Sequence, residues 1–270
     1  MLPIIASIIY LCACLWLIAS ARPSAKESDA HAQHMAGLST ACLGWLAHGY
    51  SLCRAIILDT SAALNSTEVA SLIAWIIAAI TLVKARNRSR FSVIAALLLL
   101  CVGIAAALTN EGARIFSTSQ SGWELNAHIL IAVLAYALVT VGASLSVVFY
   151  ALDHRLRHHQ PLGWMKSLPS IEALETSIFQ SITAGFALLT LTLFSGFFFV
   201  RDLFAQHLIH KVALSCVAWL VLGILLWGHW RLGWRGRIAA RWILSCFVLL
   251  GLSYFGSKFV LEVMLGRHWG

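Results

Sequence analysis

Residues 127–151 read AHILIAVLAYALVTVGASLSVVFYA, twenty-five consecutive positions without an acidic or basic charge. A membrane-crossing helix needs ~20 mostly apolar residues to traverse the hydrocarbon layer. Backbone in lipid must satisfy its hydrogen bonds internally, which leaves helices or a closed barrel. Uninterrupted apolar runs of this length exclude the alternating pattern of barrel strands. The fold class that follows is all-α, a polytopic membrane protein.

Working outward from this stretch, eight segments qualify as spans, near 2–20, 36–57, 69–84, 91–109, 127–151, 178–200, 211–230 and 240–263. The third is the shortest. Composition agrees: 60% of the 270 residues are hydrophobic and 11% charged, against about 45–50% and about 25% in a soluble domain. Such a chain needs apolar side chains both in its core and on its lipid face. Residues 1–270 therefore read as a single membrane domain. Ala19-Ser20-Ala21 resembles a signal-peptide cleavage site, but no Lys or Arg precedes the first apolar run. A basic leading region is part of a signal peptide, so a retained first helix is expected.

Lys and Arg set the expected orientation. Arg22, Lys26, Lys84, Arg86, Arg88, Arg90, Arg155, Arg157, Lys166, Arg231, Arg235, Arg237 and Arg241 follow the odd-numbered spans; Arg54, Arg114, Arg201, Lys211, Lys258 and Arg267 lie on the other side. The richer side is cytoplasmic, which places both termini outside, in the periplasm. The same bias explains the net charge of +8 through cytoplasmic loops and anionic lipid, so no nucleic-acid partner is implied. Within the longest connection, 152–177, Pro169 suits a helix start and Glu172 a first turn. A short interfacial helix carrying Ile171, Leu174 and Ile178 on one face is expected there. Trp227, Trp230 and Trp234 alternate with Arg231, Arg235 and Arg237, the pattern of a headgroup anchor. Gly142, Ser144, Gly185, Ser195, Gly196, Gly251 and Gly256 are small enough to let helices approach closely.

Catalytic signatures are missing. The sequence has no Gly-Lys-Ser phosphate loop, no G-x-S-x-G elbow and no H-E-x-x-H. Seven cysteines form no C-x-x-C pair, so the chain does not itself attach haem covalently. Carboxylates are almost absent from the spans, Glu262 being the nearest, which argues against a carboxylate-driven transporter. A non-enzyme is expected.

Histidine is the informative residue type. His31, His34, His154, His158, His159 and His268 lie near charges and read as solvated. His229 reads as a headgroup contact. His48 lies near the middle of the second span, where a polar ring needs a neighbouring-helix partner or a ligand. His128 opens the fifth span and His210 the seventh, with His207 just before it; by the expected topology His128 and His210 share the outer face. Two neutral imidazoles at one depth on two helices can ligate one iron from opposite sides. Separate interfacial histidines are the plainer reading of the spacing alone.

The block SGFFFVRDLFAQHLIHKVALSCVAWLVLGILLWGHWRLGWRGRIAARWILSCFVLLGLSYFGSKFVLEVMLGR, with LGWLAHGYSLCRAIIL, AHILIAVLAYALVTVGASLSVVFYALDHRL and SLPSIEALETSIFQSITAGFALLTLTLFSGFFF, resembles the cytochrome c assembly transmembrane family. That family includes CcsA, CcmC and HemX-like proteins, and the chain is most similar to its YpjD-like inner-membrane branch. The resemblance covers about residues 36–267. It implies eight helices in a bacterial inner membrane, haem handling, and cytochrome c assembly proteins and the lipid bilayer as partners. It implies haem b as the bound group, His128 and His210 as axial ligands to its iron, and His48 and His207 as weaker candidates. Family members hold haem on a W-G-x-x-W-x-W-D segment; here the matching stretch, residues 198–210, contains no tryptophan and several phenylalanines. Two functions follow as expectations: a haem-binding or haem-handling accessory of cytochrome c assembly, or a haem-free structural or regulatory protein acting on a neighbouring membrane transporter or enzyme. A small-molecule transporter ranks behind both.

Overall fold

The computed structural model describes residues 2–21, 27–58, 63–87, 91–107, 114–117, 123–159, 161, 163–199 and 209–253. Eight α-helices lie among them: α1 Leu2–Ser20, α2 Glu27–Leu58, α3 Ser66–Asn87, α4 Ser92–Ala107, α5 Trp123–Arg157, α6 Ile171–Phe199, α7 Ile209–Leu232 and α8 Gly236–Gly251. A short antiparallel ribbon pairs β1 (Ala63–Asn65) with β2 (Arg114–Ser117), a small departure from a purely helical expectation. Five helices are long and apolar enough to cross a membrane: α1, α3, α5, α6 and α7; α4 is a shorter apolar helix. The third segment, the shortest in the sequence reading, is a helix of 22 residues.

The described chain forms two compact units. One comprises residues 1–120 with 154–170, the other 121–153 with 171–270. In the first unit α1 shows how such a bundle is sorted. Ala6, Tyr10, Ala13, Cys14 and Leu17 are buried along one stripe, while Ile4, Ile5, Ile8, Leu11 and Leu15 are exposed on the other. Both faces are apolar, so hydrophobicity does not choose between them. Helix association in lipid follows close packing, which small residues permit. The buried stripe meets glycines: Gly37 stands against Leu17, Gly44 against Ile9 and Tyr10, and Gly103 of α4 against Ser7 and Tyr10. The Ser7 hydroxyl lies 2.7 Å from the Gly103 carbonyl oxygen.

Between α2 and α3 a reciprocal clasp forms. Trp45 and Trp75 stack with ring centroids 4.7 Å apart. Trp75 Nε1–H donates to the Trp45 carbonyl at 2.9 Å, and Trp45 Nε1–H to the Trp75 carbonyl at 3.2 Å. Both indoles thereby satisfy their only polar atom. Gly49 makes room for this arrangement, since a Cβ there would lie 2.8 Å from Trp75 Nε1.

In the second unit α5 and α6 run antiparallel in one sustained register. Gly142 faces Ile182, Gly185 faces Val139, and Gly196 faces His128. A step of three and then eleven residues down α5 is matched by the same step up α6. Three helical turns take about 11 residues, so the contacts recur on one stripe of each helix. Trp219 of α7 donates to the Thr190 hydroxyl of α6 at 2.8 Å, and Phe186 stacks on Trp219. Tyr136 of α5 lies against Phe247 of α8.

The turn between α7 and α8 needs glycine twice, with φ +69 at Gly233 and +62 at Gly236, a region that side chains with a Cβ rarely adopt. Trp234 folds back over Gly228, whose missing Cβ would lie 2.4 Å from the indole. The first amide of α8, Gly236 N–H, donates to Glu175 of α6 at 2.8 Å, so a carboxylate from another helix caps the helix dipole. Arg237 donates to Asp153 and Arg241 to Tyr150.

Helix α6 is continuous from Ile171, so the short helix expected to lead into the sixth span is the first part of the span's own helix. No proline follows Pro169 in this stretch, so nothing breaks the helix before its span. Leu174 and Ile178 are buried.

Gly49→Ala is expected to destabilise the protein by about 1–3 kcal/mol, because the stacked, doubly bonded Trp75 has no free rotamer to yield. Gly223→Ala, where the added carbon would meet Phe186 at an ordinary 3.6 Å, is expected to stay within about 0.5 kcal/mol. Thermal unfolding of both variants in mild detergent checks the contrast.

Candidate functional site

Helix α5 begins at Trp123, so His128 lies in the second turn rather than at the first residue. Its position follows from the α5–α6 register. Gly196 brings the ring close to α6: a Cβ there would lie 3.1 Å from His128 Cε1 and 3.8 Å from Nε2. One residue earlier, the Ser195 hydroxyl stands 2.8 Å from His128 Nδ1. The same hydroxyl donates to the Thr192 carbonyl at 3.1 Å, the back-bond that serine makes within a helix. His128 is half-buried, and no described residue bonds its Nε2. Phe194, Phe197 and Phe198 are exposed at the same end of α6.

His210 is the second residue of α7; its side chain lies outside the described residues, as does His207 altogether. His48 belongs to the first unit. It is 1% exposed, its Nε2 lies 2.7 Å from the Ser71 hydroxyl of α3, and the edge of Tyr10 packs against it at 5.9 Å. Its Nδ1 and the Tyr10 hydroxyl are buried without a described partner. Among the described residues, no three His, Cys, Asp or Glu side chains form a metal-binding group.

One histidine differs from the sequence reading, and another gains packing partners. His34 is not solvated: α2 starts at Glu27, and the ring is 6% exposed with Nδ1 2.9 Å from Ser92 Oγ of α4. His229 is a packing group, stacked on Phe179 at 3.6 Å and bonded through Nδ1 to the Trp234 carbonyl at 2.8 Å. Ser195 is the residue that sequence reasoning missed as a site group. It reads as one more small residue, and only the register shows which ring it meets.

His128 has one feature that a metal-ligating imidazole needs. A ligating imidazole is held through one nitrogen by an outer hydrogen bond and offers the other to the metal. His128 is held through Nδ1, and its Nε2 is uncommitted among the described residues.

Comparison with known proteins gives the family. A model described as "Cytochrome C assembly protein" matches residues 63–265. Inner membrane protein YpjD of Escherichia coli (strain K12) is 32% identical over 213 residues, 76% of this chain and 78% of that protein. An uncharacterized 28.8 kDa protein in a nifR3-like 5' region of Azospirillum brasilense is 33% identical over 171 residues, 62% and 63% of the two chains. Cytochrome c biogenesis protein CcsA of Chlamydomonas reinhardtii is 25% identical over 145 residues, 53% and 40%. No solved structure matches the chain. The helices and these relatives make it a multi-pass inner-membrane protein, and the family match across most of its length means that the chain belongs to the cytochrome c assembly protein family.

Proposed function

We propose that this chain is an inner-membrane haem-binding accessory of cytochrome c assembly, with His128 and His210 as the axial ligands of a haem b. Family membership supports a role in cytochrome c biogenesis. The observation that carries the haem reading is the state of His128: one ring nitrogen meets Ser195, and the other has no partner among the described residues. His210, in the first turn of α7, supplies the second imidazole. Apolar helices supply the walls, and Phe194, Phe197 and Phe198 are exposed at the same end of α6 as His128. The bound iron would supply redox and ligand-exchange chemistry; the protein's own residues bind and orient it. The function is binding rather than turnover, and the partners are lipid, haem and the assembly machinery. A haem-free structural or regulatory role is favoured by one fact, the absence of tryptophan from residues 198–210.

The first test is the visible spectrum of protein purified in mild detergent after expression with ample haem. A stoichiometric Soret band that shifts or disappears in both His128→Ala and His210→Ala supports the bis-histidine site. Gly196→Leu, which presses a side chain onto the ring at Cε1, is expected to lower haem content. No band above background, even with added haem, would leave the structural reading in front.

In the orientation we propose, both termini face the periplasm and the 158–170 connection, which follows Arg155 and Arg157, is cytoplasmic. A fluorescent protein inserted after His159 should glow, and alkaline phosphatase fused at the carboxyl end should be active. The opposite pattern at both sites rules this orientation out.

A further inference from the structure

We propose that Ser195 is a positioning residue that fixes His128 in the Nδ1–H tautomer, leaving the Nε2 lone pair pointing away from the hydrogen bond and free for a metal. The inference deepens the haem-ligand reading and rests on it for its purpose. The tautomer itself is a property of this chain alone.

Proton counting assigns the tautomer. A serine hydroxyl has one proton and accepts through its oxygen lone pairs. A serine within a helix characteristically gives that proton to a carbonyl one turn earlier, and the Thr192 carbonyl oxygen lies 3.1 Å from Ser195 Oγ. The contact of the same oxygen with His128 Nδ1, at 2.8 Å, then needs its proton from the ring, so Nδ1 carries the hydrogen. No described carboxylate pairs with the half-buried ring, and burying an unpaired charge is costly. The ring is therefore neutral, and the nitrogen without hydrogen is Nε2. Free histidine favours the other tautomer, with hydrogen on Nε2, which would turn an N–H rather than a lone pair toward a ligand. The serine thus reverses the intrinsic preference.

The placement of that serine is not local to α5. The repeating contacts Gly142–Ile182, Val139–Gly185 and His128–Gly196 hold α6 in the one register that sets residue 195 against residue 128. Gly196 leaves room for the ring itself, since a Cβ there would lie 3.1 Å from Cε1, between the two nitrogens. Two adjacent small residues therefore have separate roles, Ser195 fixing the proton and Gly196 making room for the ring.

The test reads the nitrogens directly. The full chain, labelled with nitrogen-15 in histidine and reconstituted without haem, gives a signal for His128 that is identified by its loss in His128→Gln. Protonated and unprotonated ring nitrogens resonate far apart and distinguish the tautomers. The parent is expected to hold hydrogen on Nδ1. Ser195→Ala is expected to move most of the population to the Nε2–H form, and Ser195→Thr, which keeps a hydroxyl, to restore the parent spectrum. In the haem-loaded protein Ser195→Ala is expected to weaken haem affinity about 10–100-fold, the usual cost of losing an outer-shell partner, while the Ser195→Thr variant retains it. Hydrogen on Nε2 in the parent, or an unchanged His128 signal in Ser195→Ala with the helices intact by circular dichroism, overturns the assignment. A Soret band that survives His128→Ala would sink the ligand reading of His128 and leave the tautomer result standing by itself.

Discussion

The antiparallel register of α5 and α6 is the constraint on which the second unit depends. Lipid tails are as apolar as the helices they surround, so burial from water does not pull two spans together. What selects the pairing is how closely two backbones can approach and at which residues. Gly142 and Gly185 form a reciprocal pair: each accepts a branched side chain, Ile182 or Val139, from the opposing helix. Once those two contacts form, the helical repeat carries the same register eleven residues farther, to His128 and Gly196. The clasp of Trp45 and Trp75 works by the same logic in the first unit. Gly49 provides the space, and the two indoles provide the hydrogen bonds.

Polar groups inside these bundles follow a common rule. Three helix-borne histidines each meet a serine of another helix: His34 with Ser92, His48 with Ser71, and His128 with Ser195. A hydroxyl is a partner that adds no charge, which suits a medium where an ionised group is expensive. The three rings differ in what the remaining nitrogen has. In His48 it is sealed among packed helices, with Tyr10 against the ring. In His128 the ring is only half-buried. That difference, more than the hydrogen bond, separates a packing histidine from a candidate ligand.

Much of the helical order was legible in the apolar runs, because length and hydropathy report directly on the capacity to span a bilayer. The inward face was not. On α1 the buried and lipid-facing stripes are both apolar, so periodicity carries no signal, and the buried face is the one that meets the glycines of α2 and α4. Segment starts were displaced for a similar reason. Helix α2 extends back to Glu27 through polar residues, which carried His34 from an expected surface position into a buried one. Helix α6 absorbed the expected interfacial helix because no residue between Ile171 and its span forbids the continuation. His128 was legible as a histidine near the start of a span. Ser195 was not, since a serine in a membrane helix reads as a small packing residue until its neighbour is known.

The neutral partner also bears on the chemistry proposed for the site. Metal-bound histidines in soluble proteins commonly donate their second nitrogen to a carboxylate, which raises ligand basicity. A carboxylate facing α5 here would add a formal charge at membrane depth. A serine whose proton is already used within its own helix fixes orientation and tautomer as firmly, but returns less electron density to the ring. An imidazole so held is a weaker donor, and a weaker axial donor stabilises ferric iron less. A haem bound there would therefore be easier to reduce than one backed by a carboxylate.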